Sequence, residues 1–337
     1  MSVLIARSLA EAASFGPCAL TIGNFDGVHL GHQALLRATV AAARERGVRS
    51  VVLMFSPHPA CIVAPERAPR LLTSPEQRCD LMAEQGIEAV LILPFTAELA
   101  KVAPEDFAAR FLRDGLRASV VLVGDNFRFG NRHAGDTAML ARLGGELGFE
   151  TQFLSAVKWR GLMVSASEIR NNVAAGDVTV AGRLLGRPFH LEGGILAGHG
   201  IGSKQTVPTL NLDTAAEVLP REGVYVTRTF DVDSDRHWNS ITNVGRRPTF
   251  ENNGPISIET FLLSPFDGLA PSRIRLEFLR RVREEKKFPN PESLKTQIMA
   301  DVKRATAYFR HVAFFVKRRP ADAPKVQNFA GTPDKNN

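Results

Sequence analysis

Residues 21–38 read TIGNFDGVHLGHQALLRA, an apolar strand that breaks into a glycine-rich turn and continues as a helical pattern. Two histidines, His29 and His32, follow the turn three residues apart, so they lie on one face of the first helical turn. A helix N-terminus offers free backbone N–H groups and the positive end of the helix dipole, and both favour phosphate. The glycines at 23, 27 and 31 let the main chain approach a polyphosphate closely. This stretch therefore predicts a nucleotide site in which the histidines donate protons or hydrogen bonds to phosphate oxygens.

The first half of the chain alternates between strand-like and helical patterns. Apolar runs predict strands at 19–22, 51–55, 89–93, 120–123 and 151–154, and helical patterns lie near 32–46, 75–85, 105–115 and 137–147. Apolar strands separated by helices are typical of a parallel sheet covered on both faces. We predict an α/β Rossmann-like domain over residues 1–186. The histidine turn then occupies the first strand-to-helix connection, where such folds bind nucleotides; the alternative is a turn whose histidines only cap or pack.

The pattern changes after a short helical stretch that ends at Gly186. Strand-like segments joined by turns follow at 189–197, 223–231, 238–244, 256–263 and 273–281, and many alternate polar with apolar residues. This alternation is typical of an antiparallel sheet with one face on a core. We predict a small antiparallel β-barrel over residues 187–316, closed by a C-terminal helix near 291–310. Residues 317–337, rich in Pro, Lys, Asp and Asn, predict a disordered tail.

Composition limits the functional classes. The chain has 337 residues, 44% hydrophobic and 23% charged, which fits two globular domains without a membrane-spanning segment. The net charge of +7 favours anionic partners. Much of the excess lies at 280–287 and 317–319, which we interpret as a solvated basic face rather than a nucleic-acid site, because no RNA-module or zinc-knuckle pattern accompanies it.

Cysteine usage and the N-terminal sequence predict a cytoplasmic location. Cys18, Cys61 and Cys79 are odd in number and share no C-x-x-C spacing, which indicates reduced thiols and no structural zinc. The first residues lack the basic flank and long apolar core of a secretory signal.

Three further motifs of the first half fall at the ends of predicted elements. In GDNFRFG at 124–130, Asn126 has the chemistry to hydrogen-bond a nucleotide, and Phe127 and Phe129 either flank an aromatic ring or form a buried pair. In VSASEIR at 164–170, hydroxyls and an arginine on one turn suit phosphate, although a helix cap has the same pattern. In FSPHP at 55–59, the histidine either contacts a ligand or belongs to a rigid turn.

The second half carries a glycine-rich loop and an isolated carboxylate. The loop contains Gly198, Gly200 and Gly202 and precedes Thr209 and Asn211, whose oxygens suit Mg²⁺ and a phosphate. A hairpin turn is the alternative, and no P-loop pattern is present. Glu259 lies in a β-rich apolar run; it either faces solvent or, if it faces inward, acts as general base for a hydroxyl.

Taken together, these motifs resemble a known family. The patterns G-x-F-D-G-x-H-x-G-H, F-S-P-H-P, G-x-N-F-x-F-G and S-x-S-x-I-R resemble the adenylyltransferase half of bacterial bifunctional riboflavin kinase/FAD synthetases. G-H-G-x-G, P-T-x-N, NVGRRPTF at 243–250, I-E-T and REEKKF at 283–288 resemble its kinase half. They follow the family's order and cover about residues 15–312.

The resemblance implies two reactions with ATP: phosphorylation of riboflavin to FMN, and adenylylation of FMN to FAD with release of pyrophosphate. It implies that Glu259 is the general base of the kinase, that Thr209 and Asn211 bind the Mg²⁺–nucleotide, and that His29 and His32 stabilise the phosphates during adenylyl transfer. The remaining residues that it implies contact nucleotide or flavin are Gly23, Phe25, Asp26, Gly27, Asn126, Ser167, Arg170, Gly198, Gly200 and Gly202.

The sequence departs from the family's pattern at four places. One is FDGLA at 266–270, where the family's aspartate-leucine-tyrosine-glycine element lacks its tyrosine. Where the family has S-S-T-x-I-R, this chain has Ala166 at the second position and Ser167 at the third. In the loop before Thr209, Ser203 replaces the family's Arg, and Thr206-Val207 replaces its Gly-Phe. These departures keep open an FAD synthetase whose barrel has weak or no kinase activity. The motifs also leave room for a nucleotidylyltransferase that acts on pantetheine phosphate or a nicotinamide nucleotide, and for a non-catalytic RNA- or flavin-binding regulator.

Overall fold

The computed structural model describes residues 3–196, 209–246, 256–265 and 269–318. The first half is built on a parallel sheet of six strands: β1 (Leu4–Ala6), β2 (Cys18–Ile22), β3 (Arg49–Ser56), β4 (Ala89–Pro94), β5 (Ala118–Gly124) and β6 (Glu150–Leu154). The spatial order is β1-β4-β3-β2-β5-β6, and every neighbouring pair is parallel. The predicted parallel sheet is confirmed.

Helices cover both faces of this sheet: α1 (Leu30–Arg46), α2 (Ala60–Val63), α3 (Pro75–Glu84), α4 (Pro104–Phe107) and α5 (Thr137–Leu147). Successive strand residues point to opposite faces, so on β3 Leu53 packs in one apolar cluster while Met54 packs in another. The result is the predicted three-layer, Rossmann-like domain. The chain continues from α4 as a π-helix over Ala108–Gly115, a winding that the predicted helix at 105–115 did not anticipate.

Local signals place the helix ends. The Ser74 hydroxyl accepts the Gln77 N–H, and the Gln77 side chain accepts the Ser74 N–H, so a capping box starts α3. At the C-terminal end of α1, Gly47 adopts φ 65° and terminates that helix. Both positions follow from the residue types alone.

A hairpin and two helices lead into the second half: β7 (Lys158–Trp159), β8 (Leu162–Met163), α6 (Ala166–Ala175) and α7 (Val178–Leu185). Six antiparallel strands then close a barrel in the order β10-β13-β12-β11-β14-β9. They are β9 (Phe189–Leu196), β10 (Thr209–Asp213), β11 (Gly223–Asp231), β12 (His237–Arg246), β13 (Ile256–Leu262) and β14 (Arg273–Arg283), and the helix α8 (Pro291–Arg318) packs on the outside. The predicted barrel with a C-terminal helix is confirmed.

The structure also differs from the predicted elements in β1, β10, the hairpin β7–β8 and the end of α8. Strands β1 and β10, of three and five residues, are absent from the prediction. Strand β1 is too short to show alternation. Strand β10 does alternate polar with apolar residues, but the prediction interprets Thr209 and Asn211 only as ligands of a nucleotide. Helix α8 continues to Arg318, so residues 317 and 318, predicted as disordered, are helical. The physical reason is that the first helix-breaking residue after Pro291 is Pro320. Residues 319–337 lie outside the described part of the chain. No helix among the described residues has the length and apolarity needed to cross a bilayer.

Candidate active sites

The first site lies where the strand order of the sheet reverses. From β2 the chain moves outward to β3 and β4 and then returns to the other side of β2, where it forms β5. Ligands of doubly wound sheets bind at the carboxyl ends of the strands at such a point. A cavity of about 290 Å³ opens here. It is lined by five of the predicted residues, Gly23, Phe25, His29, His32 and Asn126.

The two histidines form a stacked pair at the start of α1. His29 is the N-cap residue, and its Nδ1 accepts the backbone N–H of His32 at 3.3 Å. The neutral His29 ring therefore carries its proton on Nε2. Burial lowers the pKa of His29 to about 4, against a smaller opposing effect of Asp26. Burial, and then the neighbouring His29, hold the pKa of His32 well below its usual value. Both rings are consequently neutral hydrogen-bond donors at pH 7.

The turn before His29 has a backbone that its own residues disfavour. Phe25, Gly27 and Val28 adopt φ values of 51°, 74° and 38°. Left-handed backbone is ordinary for glycine but costs about 1–3 kcal/mol at a residue with a side chain, and most at a β-branched one. Gly31 matters for a different reason, because a Cβ there would lie 3.1 Å from Cε1 of His29 and would press the ring by a few tenths of an ångström. The surroundings must therefore hold the turn in place.

Asp26 anchors the turn from one side. Its carboxylate is almost fully buried and accepts the backbone N–H groups of Leu72 at 2.9 Å and Thr73 at 3.1 Å. It also pairs with Arg170 at 3.1 Å, and Arg170 in turn donates to the Ser167 hydroxyl at 3.3 Å. The predicted residues Asp26, Ser167 and Arg170 are thus brought together beside the cavity rather than on its lining.

Gly27 is likewise engaged within the protein. Its N–H donates to the Thr73 hydroxyl at 2.9 Å, and it does not line the cavity. At the C-terminal side of this region, the Ser165 hydroxyl accepts the Glu168 N–H and caps α6. The alternative of a helix cap therefore holds for Ser165, and the predicted phosphate contacts of Ser167 and Arg170 stay predictions.

A second, apolar cavity of about 520 Å³ adjoins the first and shares Ile22 and Phe127 with it. Its aromatic lining comes from several loops: Phe55, Phe95, Phe107, Phe127 and Phe129. Phe127 and Phe129 stack on each other, with centroids 5.6 Å apart and planes 13° apart, so they do not flank a third ring between them. Phe95 and Phe107 carry no signal in the sequence, since no motif contains them.

His58 belongs to a rigid turn beside this cavity. Its Nδ1 accepts the N–H of Ala60 at 3.1 Å, and its Nε2 lies 3.1 Å from the Asn24 amide. It lines neither cavity. The interpretation of this histidine as part of a turn is the one that the structure supports.

The site of the second half lies between the barrel wall and α8, in a cavity of about 260 Å³. Glu259 lines it and is half-buried; its neighbours Ile258 and Thr260 point the other way and are buried inside the barrel. Glu259 is paired across the sheet with Asn211 on β10 and with Asn243 on β12. Directly paired residues share a face, so the carboxylate stands between two amide side chains. It therefore faces out of the barrel but into a covered cavity.

Thr209 belongs to the same face, two residues before Asn211 on β10. The predicted residues Thr209, Asn211 and Glu259 are therefore brought to one face of the barrel. Gly198, Gly200 and Gly202 lie outside the described residues. Within the described ranges, no cluster of three or more His, Cys, Asp or Glu could hold a metal ion by protein side chains alone.

A buried ion pair fixes α8 against the barrel. Arg283 donates to the Asp301 carboxylate from Nε and from one terminal nitrogen, each at 2.8 Å, and Gln297 donates to the same carboxylate at 2.9 Å. Both Arg283 and Asp301 line the cavity. From the sequence, Arg283 is only part of a basic run, because its partner is 18 residues away on a helix.

Comparisons with known proteins match each half of the chain to a different enzyme family. A family model described as FAD synthetase matches residues 11–168, and one described as riboflavin kinase matches residues 185–309. The crystal structure of a protein described as a macrolide-efflux protein from Streptococcus pneumoniae superposes with a TM-score of 0.80 and covers 91% of this chain and 99% of that one. Its sequence identity is 23%, so this likeness shows the fold alone.

Curated relatives extend over most of the chain. The bifunctional riboflavin kinase/FMN adenylyltransferase of Pseudomonas fluorescens is 39% identical over 290 residues, which cover 86% of this chain and 92% of the relative. That of Escherichia coli K12 is 32% identical over 303 residues, which cover 90% and 96%. The chain belongs to the family of bifunctional riboflavin kinase/FMN adenylyltransferases.

Proposed function

We propose that this chain converts riboflavin to FMN and FMN to FAD, with one ATP used in each half. The observation that carries the proposal is the presence of two separate cavities with different chemistry. The neutral histidine pair lies in the stretch matched by the FAD synthetase family, and the covered carboxylate lies in the stretch matched by the riboflavin kinase family. No observation favours a barrel without kinase activity.

In the kinase half, the 5′-hydroxyl oxygen of riboflavin attacks the γ-phosphorus of ATP, and ADP leaves. Glu259 accepts the hydroxyl proton as general base. Its position supports this role, because its two cross-strand neighbours are the uncharged Asn211 and Asn243. The substrate is Mg·ATP, and the oxygens of Thr209 and Asn211 suit its magnesium ion. Mg²⁺ is usually held by a few protein oxygens together with substrate phosphates.

In the adenylyltransferase half, a phosphate oxygen of FMN attacks the α-phosphorus of ATP, and pyrophosphate leaves. The attacking group is already an anion, so catalysis consists of positioning and charge stabilisation. His29 and His32 stabilise the α-phosphate and the departing pyrophosphate by donating hydrogen bonds as neutral rings. Asn126 holds the ATP phosphates, and Ser167 and Arg170 bind the leaving end.

The two adjoining cavities of the first half suit the two substrates of adenylyl transfer, FMN and ATP. The apolar cavity, with its aromatic lining, suits the flavin ring system, and the cavity lined by the histidines suits the nucleotide. In this arrangement the FMN phosphate meets ATP at the junction of the two cavities, and the residues that the cavities share, Ile22 and Phe127, support this. We further propose ATP, riboflavin and FMN as small-molecule partners, with no nucleic acid and no membrane, in a reducing cytoplasm that suits the three free cysteines.

The direct test is incubation of the purified protein with riboflavin, ATP and Mg²⁺, followed by chromatographic separation of the flavins over time. FMN that appears first and FAD that follows would support both activities. FAD formed only from supplied FMN would restrict the function to the first half and revive the alternative of an inactive kinase. If neither FMN nor FAD were formed, the proposal would be contradicted.

A further inference from the structure

We propose that Arg187, a residue of the kinase half, is a positioning residue for adenylyl transfer in the other half. The inference rests on the proposed function. Arg187 lies between α7 and β9, within the stretch that the riboflavin kinase family matches. Its guanidinium reaches back across the junction to the turn that carries His29.

The contacts are to the two carbonyls that precede His29. One terminal nitrogen of Arg187 donates to the Gly27 carbonyl at 2.9 Å, and the other donates to the Val28 carbonyl at 3.2 Å. Gln33 donates to the same Val28 carbonyl at 2.9 Å and to the Leu185 carbonyl at 2.8 Å. The backbone next to His29 is therefore tied directly to the end of α7.

A second contact ties the opposite side of the turn to the barrel half. The backbone segment that binds Asp26 through Leu72 and Thr73 also donates the Leu71 N–H to the Glu217 carboxylate at 2.7 Å. Glu217 lies between β10 and β11. The strained turn is thus held from two sides. Arg187 holds it on one side and Glu217 on the other, and both residues belong to the second half of the chain.

The arrangement fits positioning rather than contact with substrate. Arg187 does not line the nucleotide cavity, whereas His29 does. Val28 has φ 38° and is buried; without Arg187 only Gln33 holds its carbonyl, which leaves the strained backbone freer to relax. Any such relaxation moves the N-cap residue His29, and a displacement of about 1 Å at a reacting centre lowers rates by about 100-fold.

Arg187 also acts on the charge state of His29. The groups that face His29 are Asp26, Arg187, Arg170 and the stacked ring of His32. After burial and the opposing effect of Asp26, the positive charge of Arg187 contributes to the lowered pKa of His29. Burial lowers the pKa of Arg187 itself to about 10, so it remains charged at neutral pH. Removal of this charge raises the pKa of His29.

The test compares Arg187→Met, Arg187→Lys and the control Arg183→Met in the full chain. Arg183 is exposed on the last turn of α7, one turn before Arg187. Each variant is assayed for pyrophosphate release from FMN and ATP, and the same preparation is assayed for FMN formation from riboflavin. We expect Arg187→Met to lower kcat for pyrophosphate release by about 10- to 100-fold with little change in KM for FMN. FMN formation stays within twofold of wild type. Arg187→Lys keeps the positive charge but loses the two parallel guanidinium donors, so its rate of pyrophosphate release is intermediate.

The pH profile separates positioning from a merely structural role. In Arg187→Met the acid limb of pyrophosphate release moves to higher pH, while that of FMN formation does not move. The inference would be overturned if Arg187→Met released pyrophosphate at the wild-type rate. It would also be overturned if both activities fell equally without the pH shift. Failure of the wild-type protein to release pyrophosphate would instead overturn the proposed function.

Discussion

The imidazole rings of His29 and His32 stack with their centroids 3.7 Å apart and their planes 14° apart. Two protonated rings at this separation would repel each other, and burial disfavours each charge independently. Burial lowers both pKa values, that of His29 to about 4, and the neighbouring His29 lowers that of His32 further. The pair is built to present neutral N–H donors to phosphate oxygens, not a fixed positive charge.

Replacement of either histidine should remove FAD formation alone. A single preorganised donor to developing charge contributes about 100- to 1000-fold to a rate. We expect His29→Asn and His32→Asn to lower pyrophosphate release from FMN and ATP by at least about 100-fold. FMN formation from riboflavin should remain within twofold, because Glu259 lies in a different cavity.

His237→Asn provides the matched control, since His237 is exposed on β12. It should leave both activities at the wild-type level. If both activities fell together in a folded His29→Asn protein, the assignment of the two reactions to two sites would be wrong.

The neutral histidine pair also predicts how stability depends on pH. The pKa of His29 is about 4 in the folded protein and about 6.5 when unfolded, so between these values the unfolded state binds more protons. Stability is therefore complete above about pH 6.5 and declines as the pH falls toward 4. His29 alone should reduce the free energy of unfolding by about 2 kcal/mol between pH 7 and pH 5.

Urea unfolding followed by circular dichroism at pH 7 and pH 5 measures this loss. His29→Asn should reduce the difference between the two pH values, because asparagine does not titrate. A wild-type protein and a His29→Asn variant with the same pH dependence would contradict the lowered pKa.

The sequence predicted what depends on local patterns. Apolar runs and caps located the core strands and helix α3, and the glycine-rich turn with two histidines located the first site. These features depend on neighbours in the chain, so residue type and spacing are sufficient. The cross-strand pairing of Asn211 with Glu259 is different, because it requires the register of two strands; only the resemblance to the family linked them.

The parts that the sequence did not predict depend on distant partners. Asp301 pairs with Arg283 from a helix that packs against the barrel wall, a contact set by the tertiary fold. Arg187 serves the histidine turn from 160 residues away, and a lone arginine before a proline carries no signal of that role. Long polar side chains can reach partners in many directions, so their contacts follow from the fold and not from local spacing.

Glu259→Gln should stop FMN formation and leave FAD formation from supplied FMN intact. Glutamine keeps the size of the side chain but cannot accept the proton of the riboflavin hydroxyl. Loss of general-base catalysis lowers rates by about 100- to 10,000-fold. Chromatography of flavins from two parallel incubations, one with riboflavin and one with FMN, measures both reactions.

Glu277→Gln is the control for this prediction. Glu277 is also half-buried on the barrel, on β14, and burial raises the pKa of its carboxyl, but it does not line the cavity of Glu259. Its replacement should leave FMN formation within a few-fold of wild type. Kinase activity that persisted in Glu259→Gln would remove Glu259 from the role of general base.

The barrel interior contains a chain of buried hydroxyls that makes a prediction about stability. Thr242 links two of its members, at 2.7 Å from the Thr227 hydroxyl and 2.8 Å from the Thr260 hydroxyl. Thr242→Val nearly preserves the volume but leaves both neighbours with one partner fewer. A buried polar group that loses its partner costs about 1–3 kcal/mol, so the barrel should unfold at lower urea concentration.

Fluorescence can isolate the barrel in this experiment, because the chain has two tryptophans, and Trp238 lies on β12 while Trp159 lies on the hairpin. In a Trp159→Phe background, Trp238 reports barrel unfolding alone. Thr242→Ser keeps the hydroxyl and loses one methyl group, which costs about 1 kcal/mol, and it should be the milder change. If Thr242→Val were as stable as the background protein, the buried hydroxyls would contribute nothing that a methyl group cannot replace, and the interior would be held by apolar packing alone.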